Sequence, residues 1–392
     1  MAVSQTSDEV QLRVQEWMQA TSYSAVSLTS LTGGQTNFTY LARLRQAFDD
    51  KDGNRAMEVM VKHGEPYMAR HPVNSIAIER CNVEAACLKE LEAMSLRLRS
   101  QESSSITVKS PRCYVYDEKT KTQIQEYLPN VVHLKKHLLK FPPSDTPMDL
   151  RPQYQNIGGA MAKYISKFHE LTNSILESDG PDGASSSLKE ALYKDNQMQK
   201  LKHMINYDWL LERVAQFPSI LGHMRGIFEE VKGQALEEIR GGTKTLTVIH
   251  GDFCPQNVLI RDTPLAANLD TSIYVVDWEN AQLGVPSMDH GEMLGELFAI
   301  WLCQGSAASL WIAEGYCRGL DDLSESSALR IALQLGVHLV SFGTISREME
   351  TLEQTRDIAR IGSESIVNAW GKKKAWFEQS DISFLFPTVS GE

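Results

Sequence analysis

Cysteine is sparse and poorly placed for metal or redox chemistry. The six cysteines in 392 residues, at positions 81, 87, 113, 254, 303 and 317, form no CxxC pair and have no ligand-like spacing to histidine. That excludes a sequence-encoded zinc cluster or disulfide framework and reads as reduced, mostly buried thiols, with Cys254 expected to be partly exposed. Positive charge is also short. With 39 Lys and Arg against 50 Asp and Glu, the net charge of -11 argues against coating nucleic acid or an anionic membrane, both of which require positive surface. A small anionic cofactor stays compatible, since a few local cations suffice. The opening MAVSQTSDEV has no positive segment followed by an apolar run, so no secretory signal is read and a cytoplasmic setting is expected. Long hydrophobic runs are missing too. The most apolar stretch, Met293 to Cys303, is interrupted by Gly295 and Glu296. It falls far below the roughly 20 residues a bilayer needs and reads as a core helix. Internal repeats are absent.

What is present is a globular composition, 42% hydrophobic, in a chain longer than one compact core usually is, so two lobes around a cleft are expected. The first hundred residues read as strand and turn, then helix. Alternation at Phe38 to Leu44 after Gly33-Gly34, a polar loop from Asp49 to Asn54 and a second run from Ala56 to Lys62 predict two strands joined by a hairpin. Ile76 to Leu98, with Cys81, Ala85, Leu88 and Leu91 on one stripe, predicts a long amphipathic helix, followed by a polar loop at Ser103 to Ser105. Cys113 to Tyr116 and Thr122 to Glu126 read as strands on either side of a charged turn. Leu128-Pro129-Asn130 then breaks the pattern, placing a boundary between residues 1–127, an N-terminal lobe, and 128–392, a helical C-terminal lobe. In the second part a helical stripe runs from Ile157 to Phe168, and a Gly- and Ser-rich loop covers Asp179 to Ser187. Helices follow through 188–240, then strands at Leu246 to Ile249 and Ile273 to Val276, then helices from Met288 to Trp376.

The chemistry concentrates in His250-Gly251-Asp252-Phe253-Cys254-Pro255-Gln256-Asn257, followed by Val275-Val276-Asp277-Trp278-Glu279. A short strand delivers one acid, a tight loop returns an amide, and a hairpin brings a second acid to the end of a buried strand. Phosphoryl transfer needs these groups: an acid to take or orient the proton of an attacking hydroxyl, and hard oxygen ligands for Mg²⁺ on the phosphates. Asp252 suits the first role; Asn257 and Asp277 suit the second.

These residues resemble the protein-kinase-like phosphotransferase superfamily, with its HxDxxxxN segment and strand-end Asp. The variants His250-Gly251-Asp252 and Asp277-Trp278-Glu279, and the turn through Gly284, Pro286 and Asp289, are similar to the branch of aminoglycoside phosphotransferases, choline kinases and methylthioribose kinases. Within it they look closest to methylthioribose kinases and fungal small-molecule kinases. The resemblance covers roughly residues 28 to 300 and implies an α+β, two-lobe protein-kinase-like fold: a small lobe with a five-stranded mixed sheet and one helix, and a larger, mostly helical lobe. It also implies ATP and Mg²⁺ as cofactors and a small-molecule hydroxyl acceptor. Gly33, Gly34 and Asn37 fall where the branch covers phosphate, although the full GxGxxG is lacking. Lys62 would reach the α- and β-phosphates and Glu84 would hold Lys62, with Arg80 one turn earlier able to compete for acidic partners. Glu126 and Leu128 fall at the adenine-facing hinge.

Each residue has a plainer reading. Gly33-Gly34 could be an ordinary hairpin turn, Lys62 a surface lysine and Glu84 a solvent-facing acid. His250 reads better as a brace for the loop than as a proton carrier, Asp289 as a helix cap or brace, and Trp278, Trp301 and Trp311 as core aromatics. Glu279 is divided between metal or substrate binding and a simple loop acid. A nucleotide-binding pseudokinase acting as a scaffold or regulator is the alternative function, disfavoured because a binding module has no need of Asp252. A protein kinase is disfavoured by the missing activation segment. Glu292, Glu296 and Arg347 are polar candidates for the acceptor side, each equally readable as a buried salt-bridge partner.

Overall fold

The computed structural model describes residues 6–51, 53, 55–93, 98–99, 106–141, 150–177, 187–194, 196–241, 246–266, 270–321, 323–345 and 351–386. Two five-stranded sheets, a two-stranded one and a helical body make up the described residues of this two-lobe α+β protein. The first sheet is antiparallel and five-stranded, in the order β1 (Ala25–Ser30), β2 (Phe38–Asp49), β3 (Arg55–His63), β7 (Thr122–Glu126), β6 (Cys113–Asp117). Helix α1 (Ser7–Gln19) closes one face. Its Val10, Val14 and Met18, four residues apart, form a buried stripe, and Thr6 and Glu9 close its first turn as a capping box. Sequence periodicity had not marked this helix, so the small lobe holds more than the single helix expected.

Helix α2 (Arg80–Ala93) is shorter than the predicted 76–98. Ile76 donates its backbone N–H to Pro66 O at 3.2 Å and so stays outside the helix, while Leu98–Arg99 forms the strand β4. β4 joins a second five-stranded sheet in the order β4, β5 (Ile106–Lys109), β11 (Thr271–Val275), β10 (Val258–Arg261), β8 (Val131–His133), in which β5 and β11 run parallel. Strands from before residue 127 thus pair with strands from the C-terminal part, and the boundary at 127/128 does not separate two sheets. The predicted loop at 103–105 lies outside the described residues, as does the 179–187 loop apart from Ser187.

Apolar packing divides the chain differently from its strands. One core lies under the first sheet, among α1, Leu28, Tyr40, Val59, Val61 and Ile124. Val83, Leu88 and Leu91 of α2 belong instead to the large core, where burial at roughly 1.5–3 kcal/mol per side chain anchors the helix. Residues at the two ends of the Lys62–Glu84 pair therefore sit on different cores.

The large body starts with α3 (Leu134–Lys140) and α4 (Arg151–Glu177), continues through α5 (Ser187–Lys194), α6 (Gln197–His203), α7 (Trp209–Gln216), α8 (Pro218–Leu221) and α9 (Arg225–Arg240), and ends with α10 (Ser287–Gln304), α11 (Ala307–Arg318), α12 (Glu325–His338), α13 (Leu352–Trp370) and α14 (Lys374–Phe377). Strands β9 (Thr247–Ile249) and β12 (Gln282–Gly284) pair antiparallel, with β9 leading directly into His250. Helices α4 and α11 cross backbone to backbone: a Cβ on Gly158 would stand 2.0 Å from Ile312 O, and one on Gly315 would stand 1.9 Å from Gln155 O. Among the described residues no helix is long and apolar enough to cross a membrane.

Candidate active site

The β10–β11 hairpin positions the two expected metal ligands. Val258 pairs with Val275, and the Val276 N–H donates to Asn257 O at 3.0 Å, so Asn257 and Asp277 flank the same end of the hairpin. The Asn257 amide nitrogen donates to the Asp252 backbone oxygen at 2.9 Å and to its carboxylate at 2.8 Å. Its carbonyl oxygen meets no protein donor among the described residues. Asp277 has φ 67° and ψ 57°, a left-handed conformation that costs a non-glycine residue about 1–2 kcal/mol. That turn aims its carboxylate at Lys62, with which it forms an ion pair.

Lys62 is buried and also donates to Glu84 Oε1 at 2.8 Å, while Glu84 Oε2 accepts from Gln123 Nε2 at 2.6 Å. The β3–β7 register, which sets Lys62 opposite Gln123, explains this third partner. Burial alone would lower the Lys62 ammonium, but Asp277 and Glu84 overcome it and hold it well above its ordinary value. Surface readings of Lys62 and Glu84 are thereby excluded.

Behind this pair lies a cluster that sequence reasoning missed. Arg80 is fully buried and uses all five N–H donors, to Glu279 at 3.1 Å, Glu65 O at 3.1 Å, Ala77 O at 2.8 Å, Thr36 O at 3.4 Å and Asn37 Oδ1 at 2.7 Å. The Asn37 amide nitrogen donates to Glu279 as well. Asn37 thus ties the exposed Gly33-Gly34 loop to the turn after Asp277, and Arg80 pairs with Glu279 rather than competing for Glu84. Its position four residues before Glu84, on the same helix face, was the one available signal. Burial pushes Glu279 up to about 7, with Lys62 opposing and Asp277 adding to the rise. Gly33 has φ +136°, open only to glycine without strain.

Asp289 organises the loop that carries Asp252. It accepts from the backbone N–H of His250 at 2.8 Å and of Gly251 at 2.9 Å, and from His169 Nε2 at 2.8 Å. Asp289 therefore braces this loop rather than its own helix. His250 is buried, donates from Nε2 to Val276 O at 3.0 Å and accepts from the Asp252 N–H at 3.3 Å, so it is a neutral brace. Gly251 has φ +78°, and a Cβ there would lie 2.2 Å from Asn280 O. Burial raises the Asp252 carboxyl and Lys202 opposes the rise. Cys254 is buried, against expectation, and its thiol is pushed well up by the same burial. Trp278 and Trp311 are core residues and Trp301 is partly buried against the core.

Glu126 ends β7, with its N–H on Arg112 O at 2.8 Å and its carboxylate accepting from the Arg112 N–H at 3.3 Å; Leu128 follows in the next turn. Neither joins the charged cluster through a hydrogen bond or ion pair among the described residues. On the other side of Asp252, Lys202 donates to Glu292 at 2.7 Å, His338 lies 3.7 Å from Glu292 and bonds Glu296 at 3.1 Å, and Gln256 donates to Glu296 at 3.1 Å. Glu292 and Glu296 are buried; Arg347 lies outside the described residues.

The model of a phosphotransferase enzyme family matches residues 53–325. Phosphotransferase FrzJ of Cladobotryum sp. is 22% identical over 377 residues, 94% of each chain. A 4-hydroxytryptamine kinase of Psilocybe cyanescens is 23% identical over 288 residues, 74% of this chain and 72% of that one. Among solved structures, an ethanolamine kinase of Plasmodium vivax superposes with a TM-score of 0.50 at 12% identity, covering 94% of this chain and 92% of that one.

Proposed function

Because this chain belongs to the phosphotransferase enzyme family, we propose that it moves the γ-phosphoryl group of ATP onto a hydroxyl of a small molecule, with Asp252 as the base. The observation that carries this reading is the convergence of Lys62 on Asp277 and of Asn257 on Asp252, with Asn257 and Asp277 flanking one end of the same hairpin. In the proposed reaction the acceptor oxygen attacks the γ-phosphorus, the bond to the β–γ bridging oxygen breaks with its electron pair leaving on ADP, and the hydroxyl proton passes to Asp252. The raised Asp252 carboxyl suits that step, since a base nearer neutrality takes the proton more readily. Lys62 fixes the α- and β-phosphates, Gly33 and Gly34 bring backbone close to phosphate, and Glu126 and Leu128 flank the adenine.

The donor set fits Mg²⁺. Asn257 keeps a carbonyl oxygen with no protein donor among the described residues, Asp277 supplies a carboxylate, and this ion is commonly bound by one or two protein oxygens plus phosphates. When bound there it neutralises charge on the phosphates. The acceptor class we favour is a hydroxylated amine, supported by the buried acids Glu292 and Glu296, the second bonded to Gln256 of the loop that carries Asp252, and by the relative that is a 4-hydroxytryptamine kinase. Six free cysteines support a cytoplasmic setting.

ATP consumption with Mg²⁺ across amino alcohols, hydroxylated aromatic amines, aminoglycosides and methylthioribose-like sugars tests the proposal beside Asp252→Ala. The variant should lose turnover by at least about 10³-fold while Mg-ATP still raises its melting temperature. Strong turnover by Asp252→Ala would sink the assignment.

A further inference from the structure

Lys202 is a buried ammonium with little to hold it. Its side chain is only 11% exposed, yet among the described residues its one hydrogen-bond acceptor is Glu292 Oε2 at 2.7 Å, so two of its three N–H donors meet no protein acceptor. Under-satisfied buried donors are costly unless something completes them.

The backbone around this group is unusual in two places. Lys202 stands in the last turn of α6, and the chain continues directly into a π-helical turn, Met204–Asp208. His338, which contacts both Glu292 and Glu296, ends α12 and is followed by another π-helical turn, Leu339–Gly343. Isolated π turns inside helices are rare and concentrate at functional sites. Gln256, inside the catalytic segment, reaches Glu296 at 3.1 Å and connects this network to the loop that carries Asp252.

We propose that Lys202 is an internal stand-in for the acceptor's own ammonium: an acceptor amine takes Glu292, and the released Lys202 turns to the oxygens of the phosphoryl group in transit beside Asp252. The inference rests on the hydroxylated-amine reading above. A lysine suits the task, since its compact charge rides on a flexible four-carbon stem. With no acceptor bound, Glu292 holds Lys202 back and ATP is spared from attack by water. With the amine in place, the two unused donors find phosphoryl oxygens where negative charge develops, the kind of contact that lowers a transfer barrier most.

Hydrolysis of Mg-ATP without acceptor tests this. In that reaction water attacks the γ-phosphorus, its proton passes to Asp252 and ADP departs. Glu292→Gln removes the charge that restrains Lys202, and hydrolysis should rise ~10-fold or more. The rise should vanish in Lys202→Met/Glu292→Gln. Methylammonium chloride, which carries no hydroxyl to phosphorylate, should stimulate hydrolysis by the unaltered protein relative to sodium chloride at equal ionic strength, but not by Lys202→Met. If Glu292→Gln fails to fold, the methylammonium comparison decides alone. Unchanged hydrolysis in both experiments, with the Mg-ATP melting shift retained, overturns the proposal and leaves the kinase reading standing. A rise that survives in the double variant also overturns it. No Mg-ATP shift and no hydrolysis in the unaltered protein would overturn both readings.

Discussion

Two sets of charged groups face Asp252, and they are tied down to different degrees. On the side proposed for the nucleotide, Lys62 is clamped by Glu84 and Asp277, Glu84 is held by Gln123, and Arg80 spends every donor it has. On the side proposed for the acceptor, Lys202 has Glu292 as its one hydrogen-bond acceptor among the described residues, and His338 is shared between two carboxylates. A charge with all its partners in place cannot shift without leaving another group buried and alone, whereas a charge with one partner can exchange it. The first arrangement suits phosphates that are the same in every turnover. The second suits an acceptor that must come and go.

The largest effect that would probe this contrast is at Lys62. Lys62→Met should lower turnover by about 10²-fold or more and cost about 3–5 kcal/mol in chemical denaturation, because Glu84 is left as an uncompensated buried acid and the part-exposed Asp277 loses its partner. Lys202→Met should cost less, since Glu292 keeps His338 at 3.7 Å. Equal losses of stability in the two variants would break the comparison.

Gly251→Ala comes next. It forces φ +78° on a residue with a side chain and drives a Cβ to 2.2 Å from Asn280 O, so unfolding free energy should fall by about 2–3 kcal/mol. Turnover should drop with it, as the same loop carries Asp252. Unchanged stability would mean that the loop between the two sets is softer than its contacts with Asp289 indicate.

At neutral pH the smallest effect belongs to the support behind that loop, because it emerges only on acidification. His290 bonds the Tyr316 hydroxyl at 2.8 Å, and burial, with His169 adding, depresses its pKa from 6.5 to about 3. Between these values the unfolded chain binds the proton and the folded one does not, so stability is intact above pH 6.5 and declines as pH falls towards 3. The slope from this group is at most about 1.4 kcal/mol per pH unit. His290→Asn should flatten the acid limb of a melting-temperature profile; an unaltered limb would remove His290 from the account.

Much of the nucleotide side was legible because it is local in the chain. Asp252, Asn257 and Asp277 lie within one strand-loop-hairpin segment, and Lys62 closes an alternating apolar run. Arg80, Asn37 and Glu279 were each named, but not as one cluster, since their contacts span up to 242 positions and leave no periodic trace. The short α2 was overread because its apolar stripe continues past the residues that turn away from the helix. Strand β5 was overlooked because its partner β11 lies more than 160 positions along the chain; its alternating burial shows only once paired.

By itself the sequence determined which chemistry to expect, because its acid, amide and second acid supply the groups phosphoryl transfer needs and resemble the motifs of the protein-kinase-like phosphotransferases. It also determined that strands dominate the early chain and helices the late one, through the period of its apolar residues. Only the tertiary structure decided which groups meet across long separations: that α2 packs on the large core and carries Glu84 to Lys62, that Asp289 holds the loop of Asp252, and that Lys202 rests on Glu292. Those pairings follow from how the elements pack, and packing is a property of the whole chain that no local pattern encodes.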